Sequence, residues 1–98
     1  MNITQSRNGT ALTVAMEGKL NTTSSQQLEE ELKRGMDGVT ELVLDLEKVD
    51  YITSAGLRVL VSTQKIMNRQ GSMRVIHINP EIMKILNMTG IANLLTIE

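Results

Sequence analysis

The feature that most constrains the fold is a change of apolar period between residues 41 and 69. Residues 41–46 form a short apolar run rich in branched side chains, as is typical of a parallel strand buried on both faces. Beyond it, apolar residues recur at helical spacing and form one broad face: Ala55, Val59, Leu60, Ile66 and Met67. A buried strand that turns directly into an amphipathic helix indicates an α/β fold.

The junction between this strand and this helix carries two hydroxyls, Thr53 and Ser54. Ser and Thr cap the unpaired N–H groups at a helix start, where the helix dipole also favours negative charge. From position alone, capping is the plain interpretation. A hydroxyl at this position can also carry a phosphate at low cost to the fold.

The rest of the chain alternates strands with helices. Asn8-Gly9 predicts a hairpin turn, Gly18 is expected to break the second strand, and Ser24 with Gln27 has the spacing of a capping box. Asn79 followed by Pro80 predicts the N-cap and first turn of the last helix, and Gly90 is expected to end it. The predicted strands are Ile3–Ser6, Ala11–Glu17, Glu41–Leu46, Met73–Ile78 and Leu94–Ile97. The first predicted helix has several candidate N-caps within Asn21–Ser25 and ends near Arg34, and the other two are Ala55–Arg69 and Pro80–Asn87.

This order predicts one α/β domain over residues 1–98. Its sheet is expected to be mixed, mostly parallel and four- to five-stranded, with an N-terminal edge hairpin, and to pack against helices. Five residues are expected in one core between the sheet and the central helix: Leu44, Leu46, Leu57, Leu60 and Val61. Loops 18–23, 47–53 and 79–80 should meet at the carboxyl end of the sheet, where open α/β folds usually place function.

Composition excludes several classes of function. A net charge of −1 and 1% aromatic residues argue against nucleic-acid binding. No apolar segment is long enough to span a membrane or resembles a signal peptide, so a cytoplasmic location is expected. With no Cys and only one His, His77, neither a metal site nor a cofactor is expected.

Each residue that could take part in catalysis also has a simpler structural interpretation. Asp45 and Asp50 are spaced as a possible acid/base pair, but a strand-end group and a turn residue are the simpler interpretations. His77 alternates within an apolar strand and is expected to be structural. Since no base accompanies Ser54, an enzyme is not indicated, and a small hydrolase or transferase is the weakest hypothesis.

Four segments resemble the STAS domain family, and in particular its stand-alone anti-sigma-factor antagonists. They are Met16–Leu20, Leu44–Leu46, Ile52–Leu60 and Met88–Ile91, so that the resemblance covers nearly the whole chain. It implies that Ser54 is the phosphorylated residue. Family members usually carry acids at the positions held here by Thr53 and Asn21, and Thr53 is therefore a second candidate acceptor.

The resemblance implies a binding module that captures an anti-sigma factor of the serine-kinase class and is released by phosphorylation. The alternative is a constitutive scaffold, or an accessory subunit of a signalling or transporter complex. The protein is expected to be a monomer or a weak dimer. The polar stripe on the central helix is either a solvated face or a docking surface, and the predicted partner-binding residues are Asn21, Thr22, Thr23, Thr53, Ser54, Ala55, Gly56, Arg58, Ser62 and Lys65.

Overall fold

A four-stranded mixed sheet organises the computed structural model, which describes residues 1–98. The strands are β1 (Asn2–Asn8), β2 (Ala11–Leu20), β3 (Glu41–Ile52) and β4 (Ser72–Ile76), adjacent in that order. β1 and β2 form the predicted antiparallel hairpin, while β2–β3 and β3–β4 are parallel. Gly9 has a φ of 64° at the hairpin turn, a conformation that glycine adopts at little cost.

Two strands continue past their predicted ends. β2 runs through Gly18, which has a φ of 116°, and β3 continues from Leu46 to Ile52. The register between these two strands shifts between Ala15 and Glu17, and again after Gly18. Each bulge places an extra β3 residue opposite β2, which lets the two strands stay paired over their polar ends. The expected loop at 47–53 is therefore mostly strand.

Three helices complete the domain: α1 (Thr22–Gly35), α2 (Ser54–Gln70) and α3 (Pro80–Thr89). α3 has the predicted cap, because the Asn79 side chain accepts a hydrogen bond from the Ile82 N–H at 2.8 Å. It ends where Gly90 adopts a left-handed conformation with a φ of 78°. None of the three helices is long and apolar enough to cross a membrane.

The core confirms most of the burial expected for β3 and α2. Leu44, Leu46, Leu57 and Leu60 are buried, but Val61 is only half-buried. Ile66 belongs to the apolar face described for this helix but is 44% exposed. α2 is rotated so that two polar residues take part in the buried face, Thr63 and Gln64.

The C-terminal segment does not form the predicted fifth strand. A short 3-10 helix occupies Ile91–Asn93, and Leu94 is exposed. Only one bridge joins Ile97 to Val75, in which the Val75 N–H donates to the Thr96 carbonyl at 2.8 Å. The segment lies beside β4 without extending the sheet by a full strand.

Candidate functional site

Thr53 fixes the start of α2 to the end of β2. Its backbone N–H and its Oγ1 both donate to the Leu20 carbonyl, at 3.0 and 3.1 Å. The residue is half-buried and occupies the N-cap position, but its side chain does not cap the helix. The Thr53 hydroxyl is therefore already hydrogen-bonded to the adjacent strand β2.

Ser54 is the first helical residue of α2 and is exposed. Its hydroxyl makes no hydrogen bond within the protein, and no acidic residue lies in the first turn. Because no side chain caps this turn, its N–H groups contribute uncompensated positive partial charge. Ser54 thus presents a free hydroxyl in a local field that favours a negative group.

Asn21 is the N-cap of α1 and takes part in a capping box with Ser24. Asn21 Oδ1 accepts from the Ser24 N–H at 3.0 Å, and Ser24 Oγ accepts from the Asn21 N–H at 2.8 Å. The box predicted between Ser24 and Gln27 is wrong, because the helix begins three residues earlier. An amide oxygen can serve as the cap as well as a carboxylate does, so the neutral residue leaves this function intact.

Gly56 corrects one site prediction. It was predicted to be a partner-binding residue, but it is buried. A Cβ added to it would lie 2.8 Å from Leu20 Cγ and 2.9 Å from Ile52 Cγ1. Gly56 therefore allows the first turn of α2 to pack closely on the ends of β2 and β3, and it faces the core instead of a partner.

The other predicted residues on α2 line up along an exposed stripe. Arg58 lies one turn after Ser54, and Ser62 and Lys65 continue the line, all of them exposed. Arg58, Lys65 and Arg69 take part in no ion pair. The stripe consequently presents three unpaired cations along α2, of which Arg58 lies one turn from the free hydroxyl.

A groove of about 520 Å³ between α1 and α2 brings together Thr22, half-buried Ala55 and Arg58. Asn21 and Thr23 line a separate cleft on the β1 and β2 side of α1, and Ser62 lines a second groove nearer the helix C-termini. The predicted residues thus lie on one edge of the domain but do not form a single pocket.

The structure separates Asp45 from Asp50 and places His77 on the surface. Asp50 is exposed and lies 3.9 Å from Lys19 Nζ, whereas Asp45 Oδ1 accepts from His77 Nδ1 at 2.9 Å. His77 follows β4 with a side chain that is 55% exposed, so the predicted structural strand position is wrong.

Electrostatics couple Asp45 and His77. Burial acts to raise the pKa of Asp45, but hydrogen bonds from the Glu47 N–H and from His77 outweigh it, and the pKa lies below its usual value. The hydrogen bond to Asp45 in turn raises the pKa of His77 above its ordinary value. Each member of the pair therefore favours the charged form of the other.

One exposed residue near the start of α2 was not predicted. Tyr51, near the end of β3, is 50% exposed, and Lys19 Nζ lies 5.6 Å from the centre of its ring. The sequence did contain a signal, since Tyr51 is the only aromatic residue in the chain. Its exposure depends on the continuation of β3, which the sequence pattern did not indicate.

The fold and the free hydroxyl at the start of α2 define a small binding domain. The chain belongs to the STAS domain family, whose model matches residues 2–98. It is 33% identical over 92 residues to a Bordetella bronchiseptica protein named as the anti-sigma factor antagonist BtrV, and the match covers 92% of this chain and 79% of that one.

Two solved structures show the same fold. An anti-sigma factor antagonist from Mycobacterium paratuberculosis matches with a TM-score of 0.87 and 20% identity, over 98% of this chain and 83% of that one. The Bacillus cell fate determinant SpoIIAA in its phosphorylated form matches with a TM-score of 0.77 and 12% identity, over 99% and 91%. At these identities the likeness shows the fold alone.

Proposed function

We propose that this protein is an anti-sigma factor antagonist whose binding is switched by phosphorylation of Ser54. In its unmodified form it captures an anti-sigma factor of the serine-kinase class in the cytoplasm and so regulates transcription that depends on a sigma factor. It acts as a binding module and not as an enzyme. The observation that carries the proposal is the free, exposed hydroxyl of Ser54 at the uncapped start of α2.

The hydrogen bonds favour Ser54 over Thr53 as the phosphate acceptor. Thr53 Oγ1 donates to the Leu20 carbonyl at 3.1 Å and is half-buried. A phosphate there would break this bond and would have to fit beside the end of β2. Ser54 can accept a phosphate without any such rearrangement.

Placement at a helix start also explains how one modification can spare the fold and still end binding. Phosphorylation adds about −1.5 to −2 charges, which interact favourably with the N-terminal end of the helix dipole. A partner that has closed over Ser54 would have to desolvate that phosphate against groups that fit a neutral hydroxyl. The energetic penalty therefore falls on the complex.

The partner surface in this proposal combines the α2 stripe with the start of α1. The unpaired cations Arg58 and Lys65 favour an acidic partner, and the groove that contains Thr22 and Ala55 extends the contact to α1. Thr23 and Asn21 would contribute from the rim of the same edge. The protein would act as a monomer or a weak dimer that binds neither nucleic acid nor membrane.

Incubation with the cognate anti-sigma factor kinase and ATP tests the proposal. We expect mass spectrometry to find one phosphate, on Ser54. Ser54→Asp should keep the circular dichroism spectrum and weaken binding of the kinase by about ten-fold or more, which corresponds to about 1.4 kcal/mol. Ser54→Ala should bind and should not be released by ATP.

Thr53→Val is the matched control, because it removes the neighbouring hydroxyl and keeps the shape of the side chain. It should still be phosphorylated on Ser54. Phosphate found only on Thr53 would contradict the assignment of the acceptor. A kinase that binds tightly and never phosphorylates the chain would instead favour the constitutive scaffold.

A further inference from the structure

Three potential metal ligands meet at one point on the sheet, away from Ser54. Asp45 and Glu47 belong to β3, and His77 follows β4. His77 Nδ1 lies 2.9 Å from Asp45 Oδ1 and 3.9 Å from Glu47 Oε2, and all three ligand atoms lie within 4.8 Å of one another. Two carboxylates and one imidazole thus converge on a common centre.

The backbone explains how His77 reaches this centre. Ile76 pairs with Asp45 across the parallel strands, so these two residues share a face of the sheet. If the strand simply continued, His77 would face the other way. Its φ of 58°, which is rare for a residue with a Cβ, instead lets the ring reach Asp45.

The centre holds two carboxylates beside one imidazole, and an ion bound there would displace the proton that His77 Nδ1 donates to Asp45. Asp45 and Glu47 lie on the same face, since they alternate with the core residues Leu44 and Leu46. Glu47 has no cationic partner except His77, because Lys48 pairs with Glu17 at 3.8 Å. The exposed fractions of the Asp45, His77 and Glu47 side chains are 23%, 55% and 69%, so an ion can enter from solvent and keep water ligands.

We propose that Asp45, Glu47 and His77 bind a first-row divalent metal ion, with Zn²⁺ as the reference ion. One nitrogen and two oxygen donors suit such an ion better than Mg²⁺ or Ca²⁺, which prefer oxygen ligands alone. Zinc binds these donors at about 2.0–2.2 Å, which places neighbouring ligand atoms roughly 3–3.6 Å apart. The 2.9 Å between His77 Nδ1 and Asp45 Oδ1 is already close to that spacing, and binding would require the Glu47 carboxylate to move closer to both.

The site is separate from the proposed phosphorylation switch. Leu44 and Leu46 lie in the core beneath the helices, whereas Asp45 and Glu47 lie on the opposite face of β3. An ion bound there would join β3 to the residue after β4 and would occupy none of the surface that contains Ser54. The sequence pattern did not indicate these three ligands together, because His77 lies 32 positions after Asp45 in the chain.

Isothermal titration of the full, untagged chain with ZnCl₂ tests this inference. We expect one Zn²⁺ per chain, and the background should be low because the chain has one His and no Cys. His77→Asn removes the imidazole and retains a residue that tolerates the left-handed conformation. This variant and Glu47→Gln should each weaken binding by about ten-fold or more. Asp50→Asn, an exposed acid of the same strand, is the matched control and should leave the affinity unchanged.

Titration with Co²⁺ provides a second measurement that locates the ion. Its paramagnetism should broaden the backbone amide signals of Leu46 and Ile76 and leave that of Ser54 sharp. Absence of saturable Zn²⁺ binding would overturn the inference. So would His77→Asn and Glu47→Gln variants that keep the native circular dichroism spectrum and bind Zn²⁺ as tightly as the original chain.

Discussion

The first turns of α1 and α2 lie at the same edge of the sheet but are built in opposite ways. In α1, the N-cap residue Asn21 and the third helical residue Ser24 exchange hydrogen bonds and close the helix end. In α2, the N-cap residue Thr53 bonds to Leu20 instead, and Gly56 stands at the position equivalent to Ser24. The N–H groups of this second helix start therefore have no side-chain cap.

The difference shows that one edge of the sheet can hold a capped helix start beside an uncapped one. The α1 start is satisfied by its own side chains, so it holds the surface in place. The α2 start is held from below by the contacts of Gly56 and Thr53, and the upper side of its first turn, with Ser54, remains open. A phosphate can be added to such a start without displacing a cap.

The largest expected effect comes from adding one methyl group beneath the α2 start. Gly56→Ala should lower the free energy of unfolding by about 1–3 kcal/mol, because the new Cβ would overlap the buried side chains of Leu20 and Ile52. At an open helical position the same change would raise stability by about 1 kcal/mol. Urea denaturation shows whether the variant loses or gains stability. An increase in its free energy of unfolding would show that the α2 start is not packed on the strands.

An intermediate loss of stability is expected when the first residue of the α1 cap is replaced, and almost none when the Ser54 hydroxyl is removed. Asn21→Ala removes the cap of α1 and should cost about 1 kcal/mol. Ser54→Ala removes a hydroxyl that bonds to nothing and should change stability by less than about 0.5 kcal/mol. The same urea measurements compare the two variants. Equal losses would mean that Ser54 caps its helix and that the contrast is absent.

The smallest effect on stability is expected along the α2 stripe. Arg58→Glu and Lys65→Glu should each change the free energy of unfolding by less than about 0.5 kcal/mol, since both side chains are exposed and unpaired. Each should nevertheless weaken capture of an acidic partner. Lys84→Glu, at an exposed position on α3, is the matched control for net charge. Equal binding by all three variants would make the stripe an ordinary solvated face.

Features encoded by neighbouring residues could be predicted from the sequence. The Asn8-Gly9 turn and the α3 cap at Asn79 with its stop at Gly90 appear as expected. Features that depend on distant partners could not be predicted. The polar residues after Leu46 remain in β3 because β2 pairs with them through two bulges. Ile66 is exposed because α2 packs on the sheet with Thr63 and Gln64 in its buried face.

The sequence by itself determined the class of fold, the order of its elements and the position of Ser54 at a helix start, because apolar period and turn chemistry act over a few residues. Only the tertiary structure decided that the Thr53 hydroxyl is committed and the Ser54 hydroxyl is free, that Gly56 faces the core, and that His77 meets Asp45. The physical reason is that the contacts of Thr53 and Gly56 with Leu20, and of His77 with Asp45, each join residues more than thirty positions apart, and no local sequence pattern records such contacts.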